Sequence, residues 1–207
     1  MRMALTFDDG PNTVITPQVL DILEEYGIPA TFFLIAQNIT PRSAEVARRA
    51  LSLGCDLENH SLTHSKMDQM APEEIRAEIR VCSEKITEIS GRAPRFFRPP
   101  FIAVSPTLFE SVDLTFICGE GCEDWLPETS ARYRIDKVLS RAEDGQIVLL
   151  HDSDWNVNTV EALRTIIPEL QKRGVRFVTC AGLFEEVGVT PVPGRLYSNV
   201  YQTGNRP

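Results

Sequence analysis

The sequence predicts an α/β protein whose parallel strands close into a barrel, and three features carry that expectation. Strand-like and helix-like stretches alternate seven times along the chain, the signature of repeated βαβ units. The strands read as continuous apolar runs, as in Ile147-Val148-Leu149-Leu150, which suits a sheet covered on both faces. The turn after the first strand holds Asp8-Asp9, where an open doubly wound sheet usually carries a glycine-rich phosphate turn. Both architectures fit the alternation, and this turn favours the barrel.

The elements follow from regular punctuation, with Pro at helix starts and Gly just past helix ends. Strand-like sequence begins at Met3 and ends at the two carboxylates. Thr16-Pro17 opens a helix in which Val19, Ile22, Leu23 and Tyr26 recur at helical spacing, and Gly27 closes it. Thr31 to Ile35 reads as a buried strand, Thr40-Pro41 to Gly54 as a helix, and Cys55 to Leu57 as a short strand. Pro72 to Gly91 is the longest helix, with Ile75, Ile79, Cys82, Ile86 and Ile89 on one stripe. Arg95 to Phe97 is a strand, Ser105-Pro106 opens a brief helix, and Leu114 to Cys118 is a further strand. Arg132 to Glu143 is a helix with a charged outer face, followed by the strand Ile147 to Leu150. Asn158 caps a helix running to Gly174, Val175 to Thr179 is the last strand, and Leu183 to Val187 a short final helix.

At 207 residues and 43% hydrophobic, the chain can fill one core. It divides into a single domain over 1–190 and a tail over 191–207, rich in Pro, Gly and Asn, that packs on the body or frays. A net charge of −8 argues against nucleic acid or an anionic membrane surface as partner, since both need clustered Lys and Arg. No apolar run approaches the roughly 18 residues of a membrane span, and the start lacks a signal-peptide layout. The chain as it stands therefore reads as soluble. The five cysteines form neither an even disulfide framework nor a paired zinc pattern. Most are expected as buried thiols, with Cys118 and Cys122 able to bridge in an oxidising compartment.

The chemistry is expected at the strand ends. An Asp-Gly-Pro turn closing a strand is ordinary taken alone, but Asp8 and Asp9 at a strand's end can share one mouth and divide labour as base and metal ligand. The three histidines are informative. His60 and His64 are four apart, a spacing that stacks two imidazoles on one side of a helical turn. With Asp9 they make two nitrogens and one oxygen, the ligand set of an open catalytic metal site. His151 follows the strand ending at Leu150. Arg98 stands before two prolines that stiffen its loop, and its fork suits a carboxylate. Asp124-Trp125 offers a carboxylate beside a flat apolar wall. Asp8-Asp9, His60, Arg98, Asp124 and His151 all fall just past strand carboxyl ends, which share one face of a barrel.

Thr6-Phe7-Asp8-Asp9-Gly10-Pro11, His60-Ser61-Leu62-Thr63-His64, Arg98-Pro99-Pro100, Asp124-Trp125 and Leu149-Leu150-His151-Asp152 resemble the five ordered motifs of the polysaccharide deacetylases, the NodB-homology enzymes of carbohydrate esterase family 4. The similarity runs from about Met3 to Val187. It implies a distorted (β/α)7-8 TIM-like barrel, a divalent metal (usually zinc, with cobalt or nickel also used), and hydrolysis of acetyl groups on a polysaccharide or oligosaccharide. By the same resemblance Asp9, His60 and His64 hold the metal, Asp8 is the base and His151 the acid. Asp124 raises the pKa of His151 and Arg98 orients Asp8. The backbone N–H of Phe101 faces the developing oxyanion, Leu149 and Trp125 wall the acetyl pocket, and Pro100 stands among the substrate-binding residues.

Two departures from the family pattern stand out. Phe101-Ile102 replaces the common Tyr-Gly, and Gly121 stands where the fourth motif often has an acid. The leading expectation for substrate is the N-acetyl group of a GlcNAc polymer, peptidoglycan or chitin-like. O-acetyl xylan is the alternative, and a carbohydrate-binding homologue without turnover a second. A phosphoesterase is disfavoured by the scarcity of Lys and Arg around the motifs. An extracellular or cell-envelope location is expected if a leader has been removed, and a cytoplasmic one otherwise. No feature of the sequence specifies an oligomeric state.

Overall fold

The computed structural model describes residues 1–202, and the end of the expected tail, 203–207, lies outside the described residues. The strands are β1 (Arg2–Asp8), β2 (Thr31–Leu34), β3 (Asp56–Asn59), β4 (Phe96–Phe97), β5 (Thr115–Ile117), β6 (Glu120–Gly121), β7 (Gln146–His151), β8 (Arg176–Phe177) and β9 (Leu196–Tyr197). The helices are α1 (Thr16–Tyr26), α2 (Pro41–Ser52), α3 (Pro72–Ser90), α4 (Pro106–Ser111), α5 (Ala131–Arg141), α6 (Val157–Lys172) and α7 (Cys180–Val187). Local chemistry sets their ends. Pro41, Pro72 and Pro106 begin helices, Thr40 and Ser43 form a reciprocal capping box on α2, and Gly27, Gly91 and Gly188 end helices at positive φ.

The strands lie in the order β6-β7-β1-β2-β3-β4-β5-β9, with β8 beside β1. β5 and β6 are two halves of one stretch of chain, interrupted at Cys118-Gly119. Pairing of β6 with β7 therefore brings the sheet back on itself as a barrel. The closure is distorted, because β5 parts from β7 at the other end and the tail fills the gap. Cys118 N–H donates to the Tyr197 carbonyl (2.8 Å) and Ile147 N–H to the Ser198 carbonyl (3.0 Å). In the same way β8 takes the lower part of one edge of β1, at Arg2 and Met3, while β2 takes the upper part from Thr6 onward.

Alternation along the strands sorts side chains into two layers. Met3, Leu5, Phe7, Phe32, Leu34, Val148 and Leu150 face the helices. Ala4, Phe33, Phe96, Ile117 and Ile147 fill the barrel, where α7 closes the floor with Cys180, Leu183 and Phe184. Tyr197 and Val200 from the tail complete that floor. Asp8, at the carboxyl end of β1, and Arg98, just past β4, add buried polar groups at the mouth.

Some expectations shift. The third strand runs Asp56–Asn59 rather than Cys55 to Leu57, because Cys55 still belongs to the turn that ends α2, its N–H donating to the Ala50 carbonyl. The N-cap of α6 is Asn156 rather than Asn158. The last β–α strand shortens to Arg176–Phe177, since the Thr179 side chain caps α7 by accepting from Gly182 N–H (3.1 Å). β6 and β9, two residues each, are too short to give a periodic signal. Cys118 and Cys122 are free thiols, as are the other cysteines. Among the described residues no helix is long and apolar enough to cross a membrane.

Candidate active site

The site forms at the carboxyl-end mouth of the barrel, where register brings distant residues together. Asp8 on β1 pairs with His151 on β7, Asn59 on β3 pairs with Phe97 on β4, and Arg98 N–H continues that ladder to the Asn59 carbonyl (3.0 Å). Consecutive strand residues would face opposite ways, yet Asp8 and Asp9 both serve the mouth. Asp9 does so by adopting φ 79°, a left-handed turn that Asp tolerates better than most residues.

Asp9, His60 and His64 place donor atoms within 4.8 Å of one another. Asp9 Oδ1 lies 3.7 Å from His60 Nε2 and 3.5 Å from His64 Nε2. That oxygen is buried and has no hydrogen-bond partner among the described residues. The other oxygen, Oδ2, accepts from the Ser153 hydroxyl (2.8 Å). A buried carboxylate oxygen left unpaired and facing two imidazoles fits a cation rather than a hydrogen-bond donor. His60 Nδ1 lies 2.7 Å from the Arg98 carbonyl, which fixes the proton on Nδ1 and turns the Nε2 lone pair toward Asp9.

Electrostatics agree with that arrangement. For Asp9, burial alone would raise the pKa, but His60, His151, the Ser153 hydrogen bond and His64 outweigh it and hold the carboxyl below its usual range. Burial, followed by the nearby His60, pushes His64 below the usual imidazole range, favouring the neutral ring that a ligand must present. The two histidines are not on a helical turn, which corrects the expectation from their spacing. They belong to a bend after β3, with Ser61 at φ 70° and His64 at φ 60°. Asn59 Oδ1 accepts from Ser61 N–H and Ser61 Oγ from His64 N–H, so side chains rather than a helix hold the loop.

Two buried ion pairs flank the cluster. Arg98 Nη1 donates to Asp8 Oδ1 at 2.6 Å, both side chains buried. The guanidinium also stacks 4.2 Å from the Phe33 ring centroid. Asp8 Oδ2 stands 3.7 Å from His60 Nε2, beside the candidate cation. On the other side His151 Nδ1 lies 2.8 Å from Asp124 Oδ1, and His151 N–H donates to Asp124 Oδ2 (2.7 Å). Burial alone would lower the His151 pKa, but Asp124, by its charge and its hydrogen bond, and then Asp8 and Asp9, raise it to about 9.

Sequence reasoning missed what holds Asp124. Thr159 donates its hydroxyl to Asp124 Oδ2 (2.9 Å), and Asn156 Nδ2 donates to the His151 carbonyl (3.0 Å) and reaches Asp124. Both are held from behind by Arg134 of α5, whose Nη1 donates to Asn156 Oδ1 and, at 2.8 Å, to Thr159 Oγ1. Arg134 is fully buried. The available signal was its place on the buried stripe of α5 with Ala131 and Val138, a core position occupied by a cation.

The cavity over the cluster measures about 510 Å³ and is lined by Asp8, Asp9, His60, His64, Pro99, Phe101, Ile102, Trp125, Leu149, His151, Ser153 and Trp155. Leu149 and Trp125 are thus both at the mouth, as expected for an acetyl wall. Pro100 is not: it is buried away from the cavity, which Pro99 lines instead. Phe101 is 66% exposed, its ring 4.7 Å from that of His64. Gly121 has a steric use, since a Cβ there would come within 2.9 Å of the Trp125 ring. Asp152 lies buried beneath Gly10, accepting from the Thr16 hydroxyl. Burial, partly offset by that bond, raises its pKa to about 7.

The polysaccharide deacetylase family model matches residues 1–115. The chain is 46% identical to a bifunctional xylanase/deacetylase of Pseudobutyrivibrio xylanivorans, over 96% of this chain and 33% of that protein. It is 33% identical to the peptidoglycan-N-acetylglucosamine deacetylase PgdA of Listeria monocytogenes, over 89% of this chain and 39% of that protein. The chain therefore spans between a third and two fifths of the length of the first curated relatives it matches. Among solved structures, a family 4 acetyl xylan esterase from Clostridium thermocellum, in complex with a cobalt ion, superposes with a TM-score of 0.94 at 42% identity, covering 98% of this chain and 100% of that one. With its motifs gathered at one barrel mouth and these matches across its length, the chain belongs to the polysaccharide deacetylase family, the NodB-homology group of carbohydrate esterase family 4.

Proposed function

We propose that the protein is a metal-dependent hydrolase that removes acetyl groups from a polysaccharide. The observation that carries this reading is the convergence of Asp9, His60 and His64 on one point, with the Asp8–Arg98 and His151–Asp124 pairs on either side. Asp9, His60 and His64 hold a divalent cation. Zinc suits two imidazoles and one carboxylate, and cobalt or nickel suit them too. When bound, the ion supplies Lewis acidity toward the acetyl carbonyl and the attacking water.

The chain's own groups do the rest. Asp8, oriented by Arg98, takes the proton of the attacking water. His151 enters as the imidazolium, because Asp124 favours that form, and gives its proton to the departing nitrogen or oxygen. The Phe101 N–H donates to the oxyanion that develops on the carbonyl. Leu149 and Trp125 enclose the acetyl methyl, with Gly121 giving the indole room to lie back.

Amide and ester hydrolysis share this path. The N-acetylglucosamine reading has the support of the peptidoglycan deacetylase relative. O-acetyl xylan has that of the acetyl xylan esterase, at higher identity and over the whole of that chain. Acetate release from acetylated xylan, chitooligosaccharides and peptidoglycan tests both. We expect turnover that a chelator abolishes and added divalent metal restores. A metal-loaded protein that binds oligosaccharide yet releases no acetate from any of them would leave the binding-only reading in its place.

A further inference from the structure

Asp9 brings two oxygens to the candidate cation site, and the chain treats them differently. Oδ1 is buried without a hydrogen-bond partner among the described residues, 3.7 Å from His60 Nε2 and 3.5 Å from His64 Nε2. Oδ2 accepts from the Ser153 hydroxyl at 2.8 Å. A carboxylate engaged in this way offers an ion one donor atom rather than two. Ser153 is firmly placed for that bond. It lies two residues past the end of β7, in a turn bounded by buried Asp152 and Asn156. Asp152 N–H donates to the Asp8 carbonyl (3.0 Å), and the Ser153 carbonyl accepts from Asn156 N–H (2.9 Å), so the turn is tied to the strand that delivers Asp9. Asn38 Nδ2 donates to the Asp9 carbonyl (2.7 Å), fixing the peptide while Ser153 fixes the carboxylate. His60 has a comparable restraint in the Arg98 carbonyl at its Nδ1.

We propose that Ser153 is a positioning residue that selects the metal: by occupying Asp9 Oδ2 it keeps Asp9 a one-oxygen ligand, so that imidazole nitrogens outnumber carboxylate oxygens around the ion. This rests on the reading of Asp9, His60 and His64 as the metal ligands and adds a residue outside that set. Imidazole-rich sets suit zinc, cobalt and nickel, whereas carboxylate oxygens suit magnesium, manganese and calcium. Calcium in particular accepts both oxygens of one carboxylate. Freed from Ser153, Asp9 can turn both oxygens to the ion, and the protein then supplies as many oxygens as nitrogens. That set discriminates less against the oxygen-preferring ions, and it leaves one position fewer for water and substrate. A hydrogen bond that orients a metal ligand from outside is worth about 10–100-fold in metal affinity.

Metal binding tests the proposal separately from turnover. Cobalt and manganese are titrated by calorimetry into the metal-free wild type and its Ser153→Ala, Ser153→Gly and Ser153→Thr variants, and the visible absorption of each cobalt-loaded protein is recorded. Melting of the metal-free proteins checks folding, and two variants that lack the hydroxyl guard against a local packing effect of either one. We expect wild type to bind cobalt more tightly than manganese. In Ser153→Ala and Ser153→Gly the cobalt affinity should fall about tenfold and the manganese affinity less, so that the preference for cobalt narrows. Their cobalt bands should weaken, as they do when the ion gains a ligand. Ser153→Thr keeps the hydroxyl and should stay within about threefold of wild type in affinity, with its spectrum retained. An unchanged cobalt-to-manganese ratio with an unchanged spectrum in both Ala and Gly variants would overturn the proposal. So would a Ser153→Thr protein that behaves like Ser153→Ala, or a wild type that binds neither ion. Cobalt binding with the expected dependence on Ser153 but no acetate release would instead overturn only the deacetylase reading.

Discussion

At the residue scale each proposed acid or base is paired with a buried partner that sets its charge or its aim. Asp124 is the clearest case, because it accepts from His151 twice and is itself held by Thr159. Replacing it by Asn removes the charge that offsets burial, so the His151 pKa should fall. His151 is protonated below about 9 and loses that proton as pH rises. In Asp124→Asn the alkaline limb of kcat/KM should therefore move to lower pH by about one unit or more, with kcat on an N-acetyl substrate down about 10²-fold. An ester, with its better leaving group, should lose less, and pH profiles on both substrates check this. Arg134 stands one step further back. Arg134→Met removes the donor to both groups that hold Asp124, and we expect a loss of about 3 kcal/mol in urea unfolding. Arg134→Lys should recover part of it, together with part of the amide turnover.

At the element scale the loops rather than the strands carry the unusual conformations. Asp9, Ser61, His64, Phe101, Ile102 and Glu123 all have positive φ, and most of them sit at the mouth. The family's Gly in the second place after the two prolines suits this backbone, and its replacement leaves Ile102 in the left-handed turn at φ 53°. A left-handed β-branched residue costs about 1–2 kcal/mol, and a Gly there costs less even after its larger unfolded-state entropy. Ile102→Gly should therefore stabilise the protein by about 0.5–1 kcal/mol, read as a higher Tm. An unchanged or lower Tm would show that contacts of the Ile side chain outweigh the strain. The same scale accounts for the error over His60 and His64. An i, i+4 spacing is shared by a helical turn and by a bend, and here side-chain acceptors on Asn59, Ser61 and, from α3, Glu78 take the loop's N–H groups and hold the bend.

At the scale of the whole molecule, a short two-residue strand from the tail completes the barrel. Tyr197 is 2% exposed and packs edge-on to Phe184, ring centroids 5.2 Å apart, on the floor opposite the site. Truncating it to Ala should cost about 3 kcal/mol, visible as a lower Tm and urea midpoint. Metal affinity of the protein that remains folded should change little, since the floor and the mouth are at opposite ends of the strands. The sequence by itself determined the α/β class, most helix starts and stops, and the motif residues that gather at the mouth. It did so because Pro, Gly and capping side chains act on their own neighbours, and because chemistry at strand ends is written as short contiguous motifs such as Thr6 to Pro11. The tertiary structure alone decided how the barrel closes, that Pro99 rather than Pro100 lines the cavity, and that Arg134, Asn156, Thr159, Ser153 and Trp155 belong to the site or its support. Those facts rest on contacts between residues far apart in the chain, such as Asn156 with Arg134 and Tyr197 with Cys118, and no local pattern of side chains encodes a partner that only folding brings near.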